Sequence, residues 1–358
     1  MTFTLTEEQQ LLKDAARDFC VEQAPVTRLR RIRDDKKNGR DPELWAEMAQ
    51  LGWTGVIIPE EFGGSGLGFV ALGAVLEQTG RTLVASPLHS TALVGASALL
   101  LGGSDAQKQE WLPKIAEGKA ILALAVDEGA HHTPAKSTLK VTGAKLSGEK
   151  KYVAEGHIAD AFIVTTADGL YLVKADAAGL KRRELMTVDS RGAADVAFDN
   201  VAGEKLSGGA DVVERLLDRA RIGLAAEMLG QAQASFEITT EYLKTRKQFG
   251  QVIGGFQALQ HRAAKLFTDI ELTRSCVYAA LDALDRNANS IPEYASLAKA
   301  RAGETVHLAT NELVQMHGGI GMTDAHDAGL YMKRARVAEA LYGGAAFHRD
   351  RYASLLGF

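Results

Sequence analysis

Apolar residues recur at helical spacing through the first third of the chain, give way to short β-branched runs, and return to helical spacing for the remainder. Thr6 stands three positions before Gln9, and apolar positions at helical spacing follow through Phe19, which marks a capped helix start. Further helices are predicted over 42–51, 69–83, 87–101 and 105–116, with Ser86 as N-cap and Pro87 in the first position of the fourth. Between the second and third lies a glycine-rich loop, 57–67, continuing into Gly68.

From about residue 120 to 202 the runs are short and punctuated by turns: 121–126, 138–141, 152–153, 161–166, 171–174 and 195–198. Asp168-Gly169 between two apolar runs predicts a hairpin turn. Long amphipathic stretches then cover 212–247, 256–286 and 292–316, as a helical bundle requires. The expected class is α+β, in three parts: a helical domain over 1–119, a central β-domain over 120–207 and a helical bundle over 208–358.

Composition narrows the function. The chain is 46% hydrophobic and 24% charged, enough for a sizeable core. Its 41 basic and 45 acidic residues give a net charge of −4, which speaks against a nucleic-acid binder. Cys20 and Cys276 are too few for a disulfide framework or a four-cysteine zinc site, consistent with a reducing, cytoplasmic compartment. The first residues show neither a basic nor an apolar leader region, and the apolar stretch 93–101 is too short to span a bilayer, so neither export nor membrane insertion is expected.

Two segments carry candidate chemistry. Arg246-Lys247-Gln248-Phe249-Gly250 is expected to close a helix at Gly250, with the next beginning near Phe256. An arginine there suits the helix dipole, and it also suits a phosphate, with Phe249 offering a flat face to a ring. Gln315-Met316-His317-Gly318-Gly319-Ile320-Gly321 follows a long helix. Its glycines permit either an ordinary helix end or close approach of backbone N–H groups to a diphosphate.

In this order, with Pro59-Glu60-Glu61-Phe62-Gly63-Gly64 ahead of the strand region and Asp199-Asn200-Val201 closing it, the motifs resemble the acyl-CoA dehydrogenase family. The stretch from Arg334-Ala335-Arg336 to Leu341-Tyr342 matches as well, so the resemblance spans essentially the whole chain. It implies a central β-barrel or sandwich between an N-terminal helical domain and a C-terminal four-helix bundle. It also implies FAD bound across a dimer interface and α,β-desaturation of an acyl-CoA. A glutamate takes the α-proton, flavin takes the β-hydride, and an electron-transfer flavoprotein is the expected acceptor. Arg246, Phe249, Gln257, Gln315, Gly318 and Gly319 fall on the family's cofactor-binding positions.

The base is missing. The family's Tyr-Glu-Gly-Thr-like motif reads Tyr342-Gly343-Gly344-Ala345, and the alternative base position, immediately before the matching Arg221, holds Ala220. Glu227 lies two helical turns beyond Ala220, about 10 Å along the axis and out of reach. Glu214 and Asp218 read as solvent-facing residues of a helix start. Glu339, one turn before Gly343, is the nearest substitute, yet reads first as a surface residue. The family's Thr-Glu-Pro-Gly-x-Gly-Ser-Asp loop reads Val126-Asp127-Glu128-Gly129-Ala130-His131-His132-Thr133, and its Trp-Ile-Thr-Asn-Gly strand reads Tyr152-Val153-Ala154-Glu155-Gly156. Hydroxyls and an indole that meet the flavin are thereby lost. The adjacent histidines lack a third ligand at metal spacing, so no metal is expected.

Residues that serve a chain's own flavin ring and acyl group are eroded, whereas those a neighbour lends to the dinucleotide are kept. This is similar to the base-lacking chain of the heterotetrameric acyl-CoA dehydrogenases of bacterial steroid side-chain degradation. It implies a homologous partner subunit carrying the catalytic glutamate. A homomeric flavoenzyme with a displaced base, and a non-catalytic scaffold of the same fold, are the competing readings.

Overall fold

Thr6 and Gln9 close the anticipated capping box: Gln9 N–H donates to Thr6 Oγ1 at 3.2 Å and Thr6 N–H to Gln9 Oε1 at 3.0 Å. They open the first helix of a computed structural model that describes residues 4–358. The first helices are α1 (Glu7–Glu22), α2 (Val26–Asp34), α3 (Pro42–Gln50), α4 (Gly68–Arg81), α5 (Ala96–Gly102) and α6 (Asp105–Ala116). Strands β1 (Leu122–Ala125), β2 (Lys140–Thr142), β3 (Lys145–Ala154), β4 (Ala161–Thr166), β5 (Gly169–Lys174), β6 (Leu180–Leu185), β7 (Ala193–Ala202) and β8 (Glu204–Lys205) follow. The chain continues through α7 (Asp211–Thr245), β9 (Lys247–Gln248), β10 (Gln251–Val252), α8 (Gln257–Asp285), α9 (Ile291–His317), α10 (Ala328–Ala340) and α11 (Ala345–Leu355). The α+β class and the helix–strand–helix order are as the pattern predicts. Among the described residues, no helix is long and apolar enough to cross a membrane.

The chain packs as two compact units. One comprises residues 28–72 and 85–220. Its strands form two four-stranded sheets, ordered β1-β4-β5-β8 and β2-β3-β7-β6, with only the β1–β4 pair parallel. Phe162, Val164, Tyr171 and Val173 of the first sheet share a core with Leu146, Val153, Val196 and Phe198 of the second, so the sheets face each other as a sandwich. The β4–β5 hairpin pairs Thr166 with Gly169, making Ala167-Asp168 its two-residue loop. Edge strand β6 escapes the sequence pattern because Lys181, Arg182, Arg183 and Glu184 leave no apolar alternation.

Ser86 does not cap the helix predicted over 87–101. Pro87 stands at the cap with no side-chain bond, Leu88–Gly95 wind as a π-helix, and α5 begins only at Ala96. Thr91 lies in this wide turn with its hydroxyl donating to Leu122 O at 3.1 Å and accepting from Leu122 N–H at 3.0 Å. That exchange fastens the segment to the start of β1, a tertiary demand local propensity does not register.

The other unit comprises residues 4–27, 73–84 and 221–358. Its buried Glu77 collects Lys13 at 2.8 Å, Arg274 at 2.7 Å and the Tyr278 hydroxyl at 2.6 Å, joining α4 to α1 and α8. Burial opposes ionisation of Glu77, but Lys13 and Arg274 hold its carboxyl below the usual range. A Cβ on Gly230 would run into the Glu77 carbonyl oxygen, and one on Gly80 into that of Glu227, so each of these glycines lets the backbone of the other helix come close. Ion pairs staple α9 to its neighbours: Arg301 to Asp269 at 3.2 Å, Glu304 to Arg349 at 2.5 Å and Glu312 to Arg262 at 2.5 Å.

Candidate functional site

The Arg246 segment is a β-hairpin, not a helix end at Gly250. Helix α7 stops at Thr245, Lys247 pairs with Val252 and Gln248 with Gln251, and Phe249-Gly250 form the loop. Their φ values of 52° and 79° are those of a type I′ turn, which matches the twist of paired strands. Glycine accepts that conformation freely; Phe249 holds it under strain and is 90% exposed.

The hairpin and the glycine segment are fastened together. Leu243, Ile253 and Met316 form one buried cluster, with Tyr242, Phe256 and Leu259 packed against it. The Tyr242 ring stacks on His317 at 4.2 Å between centroids, and its hydroxyl donates to His317 O at 3.4 Å. His317 Nδ1–H donates to Leu313 O at 2.7 Å; burial, opposed by this bond, pushes the imidazole below its ordinary pKa. Gly318–Met322 then turn as a short 3-10 helix. Arg246, Phe249, Gln257, Gln315, Gly318 and Gly319 are all exposed, and the Arg246 guanidinium has no carboxylate partner among the described residues. A Cβ on Gly250, Gly318 or Gly319 would meet nothing within 4 Å, so the backbone there is open to a ligand. An exposed cation beside bare backbone suits a diphosphate.

At Gly343, the position where the sequence resemblance leads one to expect an acid, φ is +103°, and a Cβ would lie 2.5 Å from Phe347 Cδ1. The space beside this glycine is therefore filled. Lys299, wholly buried on α9, donates to Gly343 O at 2.9 Å and Glu339 O at 3.0 Å. His348 Nε2–H and Arg221 Nε–H both donate to Tyr342 O, at 3.1 and 3.4 Å. Burial, then the charge of Arg221, lowers the Lys299 pKa to about 7; burial, then Lys299 and Arg221, lowers that of His348 to about 2. Ala220, the other position expected to carry an acid, is fully buried.

The remaining acids are engaged elsewhere. Arg334 holds buried Glu227. Asp218 is buried, contrary to the solvent-facing position expected for it. Glu339 lines a cavity of about 540 Å³ with Gly303, Glu304, His307, Gly344 and Ala345. Arg336 reaches its carboxylate at 2.6 Å and His307 at 3.0 Å, so it is neither a free surface residue nor a free base. Glu128 is bound by Lys150 at 2.8 Å and by Ser137 and Thr138; despite burial these lower its pKa to about 2. Tyr152 is 62% exposed with φ 53°, its N–H donating to Asp195 at 3.1 Å. His132 is hydrogen-bonded to Asp127, and no group of three or more metal-ligating side chains stands together among the described residues.

Phe347, His348 and Lys299 were not flagged by motif reading. Lys299 leaves only a faint trace in the sequence, one of two ionisable residues, with Arg301, inside the alanine-rich run 295–302. Against FAD, the residues divide. Arg246, Phe249, Gln315 and the two glycines suit its dinucleotide half. Tyr152, Ala154 and Ala345 stand where the sequence resemblance leads one to expect an indole and two hydroxyls toward the flavin ring.

Models of the acyl-CoA dehydrogenase N-terminal and C-terminal domains match residues 6–119 and 207–356. Among curated proteins, acyl-CoA dehydrogenase IpdE2 of Mycolicibacterium smegmatis is 32% identical over 95% of this chain and 96% of its own. A Tcur3481-Tcur3483 steroid ACAD variant superposes with TM-score 0.91 at 32% identity, over 99% of this chain and 98% of that one. A chain of the ChsE4-ChsE5 complex from Mycobacterium tuberculosis gives TM-score 0.89 at 27% identity, over 99% of each.

Proposed function

Because this chain belongs to the acyl-CoA dehydrogenase family, whose cofactor is FAD, we propose its place in that chemistry: the base-lacking subunit of a heteromeric enzyme. The observation that carries the reading is the pairing of a filled position at Gly343 with an exposed Arg246 whose guanidinium has no carboxylate partner among the described residues. The chain lends its hairpin and glycine turn to a homologous partner that carries the glutamate. Arg246 neutralises diphosphate charge, Phe249 lies against the adenine, and Gln257 and Gln315 supply polar contacts. Gly318 and Gly319 admit backbone N–H donors to the phosphate oxygens. When bound, FAD supplies the acceptor for the β-hydride of the acyl-CoA. No residue of this chain at position 220 or 343 moves the α-proton; that step belongs to the partner.

The steroid ACAD among its structural neighbours supports a steroid side-chain acyl-CoA as substrate, and the ChsE4-ChsE5 complex supports a heteromeric assembly. The reading includes an electron-transfer flavoprotein as acceptor, a cytoplasmic setting and the three-domain division at 119 and 207. Flavin absorbance per chain tests it. The protein purified alone is expected to hold little flavin, and the protein co-purified with a glutamate-bearing homologue about one flavin per two chains. One flavin per chain in the lone protein refutes the proposal.

One observation favours a second reading, a homomeric enzyme with a displaced base: Glu339 lines the cavity beside Gly344 and Ala345. Substrate-dependent flavin bleaching by the lone protein, abolished in Glu339→Gln, would establish it.

A further inference from the structure

We infer that Phe347, and not the glycine alone, disarms this chain: its ring fills the space into which an acid at position 343 would project. The inference rests on reading Gly343 as the family's base position. A Cβ on Gly343 would stand 2.5 Å from Phe347 Cδ1, 3.1 Å from Cε1 and 3.0 Å from His348 Nε2. Carbon atoms pack at about 3.5–4.0 Å, so one methyl group already overlaps the ring edge.

The ring is held where it stands. It meets the His348 imidazole edge-on, with centroids 5.1 Å apart and planes at 90°, and the Arg221 guanidinium lies 5.6 Å from its centroid. His348 is itself committed to Tyr342 O at 3.1 Å. On the other side, Lys299 grips Gly343 O at 2.9 Å and Glu339 O at 3.0 Å, fixing the corner between α10 and α11. The turn runs through left-handed backbone at both Tyr342 (φ 59°) and Gly343 (φ 103°).

Simple deletion of a carboxylate from an otherwise unchanged site would leave a gap lined by its former neighbours. Here the neighbours have closed over the position. Gly343→Glu alone therefore does not re-arm the chain, because the new side chain has first to displace Phe347.

The test is a mutant cycle on the full-length protein, read by thermal unfolding. Gly343→Ala is expected to lower the midpoint by several degrees. In a Phe347→Ala background the same substitution should lose less than half as much, since the severest overlap is gone and only the 3.0 Å approach to His348 Nε2 and the backbone strain remain. Phe347→Leu serves as the milder background if Phe347→Ala does not fold. Equal losses in both backgrounds would remove Phe347 as the obstacle and overturn the inference, as would no loss from Gly343→Ala in the wild type. This readout needs neither partner, flavin nor substrate, so its failure is separate from failure of the heteromeric reading.

Discussion

Arg334 holds Glu227 by two hydrogen bonds, 2.8 and 3.1 Å long, and both side chains are buried. With both carboxylate oxygens engaged, Glu227 is a structural anion. Glu227→Gln leaves the guanidinium buried without its counter-charge, which costs about 3–5 kcal/mol when one member of such a pair is removed. Urea unfolding should show that loss. Replacing both partners together, Glu227→Leu with Arg334→Met, should recover most of it.

Arg246 and Phe249 are exposed, so their removal should spare the fold and affect the cofactor. Arg246→Ala or Phe249→Ala is expected to shift the unfolding midpoint of the isolated chain by less than about 2 °C, as surface substitutions do. In the co-purified complex each should deplete flavin, with Arg246→Ala the more severe because it removes a charge-assisted contact. Absorbance at the flavin band after gel filtration measures this; full retention in both variants would exclude the assigned role.

Glu339 separates the two enzymatic readings. Its carboxylate is occupied by Arg336 and His307. Glu339→Gln should cost up to about 1 kcal/mol of stability, the range of a partly exposed pair. Acyl-CoA-dependent flavin reduction by the complex should stay within about twofold of wild type. Rapid-mixing spectroscopy of the first turnover distinguishes this from loss of a base.

Acid should weaken the corner that carries Tyr342. Folded His348 titrates near 2, whereas an unfolded histidine titrates near 6.5, so below that pH the unfolded chain binds a proton that the folded chain refuses. The contribution of neutral His348 is complete above pH 6.5 and shrinks as pH falls. His348→Gln should flatten the pH dependence of unfolding between 6.5 and 5. Lys299 acts in the same direction at higher pH: with a folded value of about 7 against about 10.4 unfolded, it favours folding progressively as pH rises between them. Unfolding midpoints across pH 5–10 test both slopes.

Periodicity was enough to locate the sandwich and the long helices, because each buries a continuous stripe or face. It misassigned Arg246–Val252, whose polar residues fit a helix end and a hairpin equally well; the left-handed pair Phe249-Gly250 decides between them. Position 343 is legible as a glycine where the resemblance leads one to expect an acid, but not as a filled position. That depends on Phe347 and His348 folding back from the first turn of α11, and on Lys299 arriving from another helix. The strands' alternation likewise says nothing of β6, where Lys181 to Glu184 pair with β7 through the backbone and Arg182, Arg183 and Glu184 are further tied by Ala159 O, Asp195 and Asn38.

The apolar cluster of Leu243, Ile253 and Met316 sets the relation between the hairpin and the glycine turn before any ligand arrives. Their mutual ordering entropy is spent in folding, and a dinucleotide meeting them has only its own freedom to lose. Affinity is then governed in part by side chains that never touch the ligand. On the proposed reading, trimming Ile253 by a single methyl would act as a binding mutation at a distance.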